Sequence, residues 1–391
     1  MELALGGVKQ VEDLGLHDKI EIDKRVFDIH TGYVVQTRKI ISEVFEKGLF
    51  LTSKELQMDL RNEKRKINYE FLNEVTKEFH NSVIDEIEAL YLIEEKLEKF
   101  KHPISHFHLA SLFLKRNLFL EAIRQFKKAI EYDSRNIRAH IGLGLAYLKS
   151  KEFLKASEIL KKAYDLGDRY PDLLNYCGLA YLFAGNFNRA ITLLKEAVDL
   201  NPNYYECQFN LGVALYKSAL EGAKDPKAVA VPARVIIYLK QVRDLEKYRS
   251  VVWQKQFNLL LELLKDNNHE VIIPEIENFQ LRLIDFAPEK DKIYEFFLRF
   301  LFGGSELSHE IIKKYETYFT NIDNNTKNFP DFWNDLGIFN LIKSRNYYLR
   351  SLSEFEKAIE ISPNFTEAKK CRNMIKGNEK GFLILLRAIL K

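Results

Sequence analysis

The sequence has little of what builds disulfide frameworks, zinc sites or membrane spans. Its 391 residues include three cysteines, Cys177, Cys207 and Cys371, and an odd number at wide spacing fits neither a disulfide framework nor a zinc site. Cys177 and Cys207 fall at positions typical of buried helix faces, so we expect them to pack as small apolar side chains in a reducing compartment. No stretch approaches the run of about 20 apolar residues that a membrane-spanning helix needs.

The sequence also has almost no excess of one sign of charge over the other. The formal net charge is +3, whereas a dedicated nucleic-acid surface brings a much stronger basic bias. Residues 1–7 have neither a basic segment nor a long apolar core, which argues against a secretory signal. We therefore expect a cytoplasmic location, unless a signal sequence has been removed. The many Lys, Ile, Asn and Phe residues suggest an AT-rich bacterial genome.

Motifs for catalysis and cofactor binding are also missing. The sequence has no glycine-rich phosphate loop, no nucleophile elbow and no paired catalytic carboxylates at strand ends. His102, His106 and His108 cluster, but Pro103 begins a helix after His102, and no carboxylate or cysteine completes a metal site. The basic run at residues 61–67 is typical of a solvated linker rather than a phosphate site. We predict no catalytic residue, no cofactor and no metal, and hence no enzyme.

The central part of the chain repeats itself from residue 103 to residue 204. Small residues recur at intervals of 34 residues, and an aromatic ring follows each of the first three by three positions. The small residues are Ala110, Gly144, Gly178 and Gly212, and two series of alanines share their period: Ala122, Ala156 and Ala190, then Ala129, Ala163 and Ala197. A fixed period of this kind is typical of helical hairpins that bury a core only by stacking.

Each window of the repeat predicts two helices, because its apolar residues are three and four positions apart. The helices are separated by a short break at Asn117, Lys151 or Gly185, and the small residues would let them approach closely. This pattern resembles the tetratricopeptide repeat over residues 103–212. Part of the pattern returns, with a longer turn between the helices, in Trp333, Leu336, Gly337, Phe355, Ala358 and Pro363.

The resemblance implies an α-solenoid whose first helices line a groove for another protein. The corresponding groove positions are Phe107, Ser111, Leu114, Ile141, Leu145, Leu148, Asn175, Leu179, Leu182, Phe209, Val213 and Tyr216. Chaperone-binding members of the family clamp a peptide carboxylate with Lys and Asn, but Phe107 and Ser111 stand at the first clamp positions here. A mostly apolar groove favours an apolar helix or strand as its ligand. The other interpretation is that part of this set is core or is covered by the N-terminal helix.

The segments before the repeats predict two further elements. Alternating apolar residues at 25–33, followed by 39–45 and 49–52, predict a small antiparallel β meander after a loose lead-in that ends near residue 18. A helix is expected from about Asn68 to Phe100, with an apolar stripe at a mean step near that of a coiled coil. This helix either lies along the first repeat as a cap or pairs with the same helix of another copy.

After Gly212 the repeat departs from its pattern. A loop is expected from Glu221 to Pro232, and helical pairs without the small residues are expected to continue the solenoid to residue 328. The last repeat then leads to a helix that is unusually apolar for the end of a solenoid. Its residues Phe382, Leu385, Leu386 and Ile389 either fold back onto the last repeat or form a docking surface for a partner or another copy.

The predicted fold is therefore mostly α, an α-solenoid of tetratricopeptide-type hairpins with a small N-terminal antiparallel β module. Five segments are expected: 1–60 with the β meander, 61–102 with the long helix, 103–221 with regular repeats, 222–328 with degenerate repeats and a loop insertion, and 329–391 with a last repeat and a capping helix.

The predicted function is that of a non-enzymatic scaffold that binds a partner peptide or helix in the groove. Self-association through residues 72–100 or 382–390 is a further prediction, and nucleic acid is not expected as a main partner. Two alternatives stay open. One is a structural subunit of a large bacterial assembly, because repeat proteins of this kind are found in the collar of the flagellar motor. The other is an adaptor that binds RNA or regulates an enzyme.

Overall fold

The structure is a computed structural model that describes residues 15–58, 69–167, 169–225, 229–266, 268–284, 290–303, 309–321 and 330–389. The chain divides into two compact units. The first unit comprises Met1–Leu112 and Glu289–Lys391, and the second comprises Phe113–Pro288. None of the helices in the described ranges combines the length and the apolarity that a membrane crossing requires.

Four antiparallel strands form a sheet in the first unit. They are β1 (Leu16–Ile22), β2 (Arg25–Val34), β3 (Lys39–Glu46) and β4 (Leu49–Gln57), and they lie in sequence order across the sheet. Two tight hairpins contain left-handed residues, Asp23 and Lys24 in the first and Lys47 and Gly48 in the second. Paired positive φ angles suit the turn that matches the twist of a hairpin.

The sequence predicted this sheet but not its first strand. Residues 16–18, expected as part of the lead-in, belong to β1, which pairs with β2 from Leu16↔Thr31 to Ile22↔Arg25. None of the residues of β1 is fully buried. An edge strand of this kind carries a weak apolar alternation, which explains why its pattern did not stand out.

Helix α1 (Tyr69–Leu97) covers one face of the sheet. Leu72 packs with Tyr33 of β2 and Ile40 of β3, and the rest of the apolar stripe of α1 is largely buried. The stripe is therefore covered by β1, β2, β3 and α12 (Asp291–Phe302) of the same unit, where we had expected the first repeat or a second copy. Self-association through residues 72–100 stays a prediction.

A row of hydrogen bonds joins α1 to the sheet. His80 of α1 contacts Thr31 Oγ1 through Nδ1 at 2.8 Å and Asp18 Oδ2 through Nε2 at 3.0 Å. Thr31 in turn donates to Ser42 Oγ at 2.7 Å. Because His80, Thr31 and Ser42 are almost fully buried, the row satisfies polar groups in the interior and fixes the position of the helix on the sheet.

Helical hairpins follow from α2 (Pro103–Lys115) onward. The second unit contains α3 (Phe119–Tyr132), α4 (Ile137–Lys149), α5 (Phe153–Leu166), α6 (Pro171–Phe183), α7 (Phe187–Leu200), α8 (Tyr205–Gly222), α9 (Ala233–Arg243), a short 3-10 turn at Glu246–Tyr248, α10 (Val251–Leu263) and α11 (His269–Leu283). The breaks at Asn117, Lys151 and Gly185 have φ angles of 56°, 62° and 79°. A single left-handed residue therefore ends the first helix of each regular pair.

The small residues of the repeat permit close approach between helices, as the sequence predicted. A Cβ atom on Gly144 would lie 2.4 Å from Leu160 Cγ, and one on Gly178 would lie 2.5 Å from Leu194 Cγ. Both distances are shorter than real Cβ contacts, so only glycine fits between these pairs of helices.

The thiols of the second unit are structural. Cys177 and Cys207 are free and buried, and Cys177 Sγ lies 3.4 Å from the carbonyl oxygen of Leu160. Burial raises the pKa of Cys177 to about 12 and raises the pKa of Cys207 as well. Both side chains pack as small apolar groups, as predicted.

The C-terminal helices of the first unit are α12 (Asp291–Phe302), α13 (His309–Thr320), α14 (Pro330–Ile361) and α15 (Thr366–Ile389). Aromatic side chains dominate the core of α12, α13 and α14, where the rings of Phe296 and Phe319 each contact Phe339. Helix α15 packs along α14, and Tyr348 donates a hydrogen bond to the carbonyl oxygen of Ile375.

The helical pair predicted from residue 330 is wrong, because α14 runs unbroken through the expected turn. Every regular hairpin has a left-handed residue at its turn, and no residue of α14 has a positive φ angle. Gly337 also differs from Gly144, because a Cβ atom on it would meet no atom within 4 Å. The sequence offsets therefore match the repeat here, but Gly337 does not make the close helix–helix contact that Gly144 makes in the regular repeats.

Candidate functional site on the inner face of the repeats

The predicted groove residues are not open to solvent in this structure. All twelve are buried, and the most exposed of them, Ser111, has a relative exposure of 6%. Phe107 and Ser111 belong to the first unit, and the other ten belong to the second. Their burial agrees with the alternative interpretation that part of this set is core, and Phe209 and Tyr216 contact α11 directly.

Helix α11 packs on the inward side of α8, the first helix of the fourth repeat. It touches four side chains of α8 and also reaches the turn after α4, where Lys151 Nζ lies 3.5 Å from Asn278 Oδ1. In a stacked solenoid each repeat contacts only its neighbours. Helix α11 contacts side chains of both the second and the fourth repeat. The continuation of the solenoid through residues 222–328 stays a prediction.

A buried row of amides forms the centre of this contact. Gln280 Nε2 donates to Asn210 Oδ1 at 2.8 Å, Asn210 Nδ2 donates to Asn175 Oδ1 at 2.9 Å, and Asn175 Nδ2 donates to Tyr204 Oη at 3.1 Å. The three amide side chains are at most 4% exposed. Burial raises the pKa of the Tyr204 hydroxyl, which stays neutral and able to accept. Buried amides pair only with matching geometry, so the row specifies the position of α11.

Aromatic rings flank the amide row. Phe279 of α11 meets Phe209 of α8 edge to face, with ring centroids 6.4 Å apart, and meets Phe257 of α10 at 4.8 Å. Trp253 closes the cluster at 6.2 Å from Phe279. Edge-to-face aromatic pairs add to the stabilisation that burial alone supplies. Phe209, a predicted groove residue, is therefore a contact residue for a helix.

Polar and charged contacts border the same face. Lys217 of α8 forms an ion pair with Glu277, and the Tyr216 hydroxyl forms a hydrogen bond with His269 Nδ1. The side chains of Lys217 and Glu277 are 14% and 31% exposed, so the pair is partly shielded from water. The inner face thus presents a cation and an aromatic hydroxyl to the helix that covers it.

Helix α11 is amphipathic, and its buried side faces the repeats. Of its buried residues, Ile276 lies four positions after Ile272, and Phe279 and Gln280 lie three and four positions after Ile276, which places them on one side of a helix. Pro274 lies inside the helix and lacks the amide hydrogen that would bond to the preceding turn.

Two buried polar atoms of this contact have no hydrogen-bond partner among the described residues. They are Gln280 Oε1 and His269 Nε2. A buried polar atom that stays unpaired costs about 1–3 kcal/mol relative to a satisfied one. The inner face therefore holds α11 with an imperfect polar match.

The part of the predicted groove in the first unit is covered differently. Ser111 Oγ donates to the Phe107 carbonyl oxygen at 2.8 Å, so its hydroxyl bonds within its own helix. The Phe107 ring contacts Tyr294 of α12 at 6.2 Å, and His108 stacks on Tyr294 at 3.9 Å. These side chains belong to the interior of that unit.

The other candidates predicted from the sequence are the histidine cluster, the basic run and the apolar residues of the last helix. His106 is fully buried, and its Nε2 lies 3.2 Å from the Phe100 carbonyl oxygen. Among the described residues, no group of three or more His, Cys, Asp or Glu side chains is placed to hold a metal. The basic run at residues 61–67 lies outside the described residues, as do the side chains of Phe382, Leu386 and Ile389. Leu385 is described and is 49% exposed.

The repeats also match known proteins. Residues 110–151 and 178–218 match a family model described as TPR repeat. Among solved structures, YrrB, described as a TPR protein with an unusual peptide-binding site, is 19% identical with a TM-score of 0.32, and the match covers 49% of this chain and 98% of YrrB. For MamA the values are 21% identity, a TM-score of 0.35 and coverage of 43% and 95%.

A tetratricopeptide repeat protein from Parabacteroides merdae matches 73% of this chain and 99% of its own length, at 14% identity and a TM-score of 0.29. No curated protein matches the chain. At these identities and TM-scores, the likenesses to solved structures say nothing about what this chain binds.

Proposed function

We propose, from the tetratricopeptide repeats that this chain carries at residues 110–151 and 178–218, that it is an interaction scaffold that holds a helix of a partner protein on the inner face of its repeats. The observation that carries the proposal is the seating of α11 on that face. A surface that already buries one amphipathic helix has the shape and chemistry to bind another.

The inner face combines the two elements that helix recognition needs. Phe209 supplies an aromatic surface for an apolar anchor, and Asn175 and Asn210 supply buried amides that fix the position of the bound helix. Aromatic anchors give most of the binding free energy at such interfaces, whereas paired polar groups give specificity.

The proposed scaffold acts without chemistry of its own. Its predicted groove residues are apolar, amide or hydroxyl side chains, and the two cysteines beside them have thiols with raised pKa values that leave them protonated near neutral pH. Binding of a partner then requires α11 to leave the face that it covers.

A cross-link that holds α11 in place tests this function. The chain would carry Lys151→Cys and Asn278→Cys, whose native side chains lie 3.5 Å apart, and Cys371→Ser to remove the partly exposed thiol. A bismaleimide would join the two new thiols. Partners would be captured with the linked and unlinked forms from cells that produce the protein and quantified by mass spectrometry.

The matched control carries Glu356→Cys and Lys376→Cys, because these side chains form an ion pair at 2.8 Å between α14 and α15 of the first unit. We expect the 151–278 link to reduce capture of at least one partner about tenfold or more, while the control link leaves it unchanged. Equal capture of every partner by all forms would contradict binding at the inner face.

A further inference from the structure

We infer that the inner face selects a partner helix that presents a carboxylate, an aromatic ring and a primary amide at the spacing of Glu277, Phe279 and Gln280. The inference rests on the proposed function and adds the chemistry of the ligand to it. Each of the three groups has a defined counterpart on the repeats, and the counterparts lie on one helix, α8.

The primary amide has the most exacting counterpart. Asn210 donates to Asn175 through Nδ2 and accepts from Gln280 through Oδ1, so its two polar atoms are both used. The position facing Asn210 must therefore offer an N–H donor within a site that is almost fully buried. Gln supplies that donor without a net charge, whereas a lysine would bring a charge into the interior at high cost.

The carboxylate has a cationic counterpart. Lys217 pairs with Glu277 and also lies over the Phe187 ring at 5.6 Å, which holds its ammonium group in place. Helix α11 contains three glutamates and one arginine, and Lys151 adds a second cation at the other border of its contact. The charges favour a helix with an excess of acidic residues.

The contact between α11 and the inner face is imperfect, so a partner helix with a better match can compete with α11. Gln280 Oε1 and His269 Nε2 are buried without a partner among the described residues, and Pro274 weakens the helix between them. A partner helix that pairs these two atoms, or does not bury them, avoids a cost that α11 bears. The tether of α11 gives it a high local concentration, so the apparent affinity for the partner is the intrinsic affinity multiplied by the fraction of open chains.

The probe for this inference is a fluorescein-labelled peptide of residues 268–284. The acceptor is the full chain with Gln280→Ala, which weakens its own α11 while the inner face stays unchanged. Anisotropy would compare the native peptide with a peptide that carries Gln280→Ala. We expect the native peptide to bind the acceptor about tenfold more tightly, since one amide hydrogen bond in a buried site contributes about 1–1.5 kcal/mol.

A charge exchange distinguishes specific from nonspecific binding, because nonspecific binding does not depend on the pairing of position 217 with position 277. An acceptor that also carries Lys217→Glu should prefer a peptide with Glu277→Lys over the native peptide, whereas the first acceptor should show the opposite order. If circular dichroism shows that Gln280→Ala unfolds the chain, Glu277→Ala serves as the acceptor, because its side chain is partly exposed.

Three results would overturn the inference. They are equal affinities for the native and Gln280→Ala peptides, no peptide binding by a folded acceptor, and a dimeric acceptor by light scattering that excludes the peptide because a second copy has donated its α11. These outcomes are separable from failure of the proposed function. If the 151–278 link abolishes capture but the peptides show no preference, the inner face binds partners of another chemistry. If the peptides bind as expected but the link changes no capture, the partner site lies elsewhere.

Discussion

Gln280 Nε2 donates a hydrogen bond to Asn210 Oδ1 at 2.8 Å across a separation of 70 residues, and both side chains are almost completely buried. This contact joins α11 to the inner face of the repeats. Because each buried amide depends on the other for its hydrogen bonds, the pair couples the position of α11 to the fold of α8.

Removal of the Asn210 amide should destabilise the second unit. In Asn210→Ala, Gln280 Nε2 and Asn175 Oδ1 both lose their partner in a buried site, so we expect the free energy of unfolding to fall by about 2–4 kcal/mol. Urea denaturation followed by circular dichroism measures the change. Gln208→Ala is the matched control on the same helix, because the hydrogen bond of Gln208 to Pro202 lies at the surface. A loss as large in Gln208→Ala as in Asn210→Ala would contradict the role of the amide row.

The small residues of the repeat differ in how much space they have, and alanine substitutions should reveal it. Gly144→Ala would bring a Cβ atom to 2.4 Å from Leu160 Cγ, so the helices must separate, and we expect a loss of about 1–3 kcal/mol in stability. At Gly212 the nearest atom would be Val235 Cγ2 at 3.4 Å, which is an ordinary contact.

Gly212→Ala is therefore the control, and it should be neutral or stabilising by about 0.5–1 kcal/mol, because alanine favours the helix. Gly337→Ala should behave in the same way, since its Cβ atom would meet no atom within 4 Å. Thermal denaturation of the three variants decides the point. A harmless Gly144→Ala would mean that the hairpins do not pack as closely as described.

An ion pair between the first residue of β2 and the last residue of β3 should make stability depend on pH. Arg25 donates to both carboxylate oxygens of Glu46, from Nε at 2.7 Å and from Nη2 at 2.5 Å. The hydrogen bond from Arg25 lowers the pKa of Glu46, although burial opposes it. A lowered pKa in the folded state means that this stabilisation is present above the unfolded pKa, near 4.3, and is lost as the pH falls through the folded value.

We therefore expect Glu46→Gln to cost stability at pH 6 and to cost progressively less as the pH falls below about 4.3. Urea titrations at several pH values measure the difference between the two proteins. A difference that stays constant across this range would contradict the lowered pKa of Glu46.

The three cysteines should differ in reactivity. Cys177 has a pKa of about 12 and is buried, Cys207 is buried as well, and Cys371 is partly exposed. At pH 8 we expect one thiol per folded chain to react with an aromatic disulfide reagent and three to react in denaturant. Cys371→Ser should abolish the fast reaction. Fast modification of Cys177 or Cys207 in the folded chain would show that the repeats open.

The regular hairpins could be predicted from the sequence because their determinants are local. Gly144 and Leu160 stand at fixed offsets in one window, and the same offsets recur in the next. The continuous helix α14 shows the limit of that reasoning. Gly337 and Ala358 match the offsets, but the segment between them lacks the left-handed residue that ends the first helix of each regular pair, and it continues as one helix.

The seating of α11 could not be predicted in the same way. Its contacts join Gln280 to Asn210 and Asn278 to Lys151, residues 70 and 127 positions apart, and no periodic pattern links them. Asn175 was included among the groove residues, but Asn210, its neighbour in the amide row, was not. The sequence feature that could have indicated this contact is the amide of Asn210 at an inward position of α8. It can be interpreted only once its partner, Gln280, is known.

The central experiment asks whether a free copy of α11 displaces the tethered helix from the inner face. The chain with Lys151→Cys, Asn278→Cys and Cys371→Ser would be treated with a bismaleimide in the absence and presence of saturating peptide 268–284. We expect efficient linking of positions 151 and 278 without the peptide and a loss of most of that product with it. No linking without the peptide, or the same yield in both samples, would contradict reversible binding of α11 to the inner face.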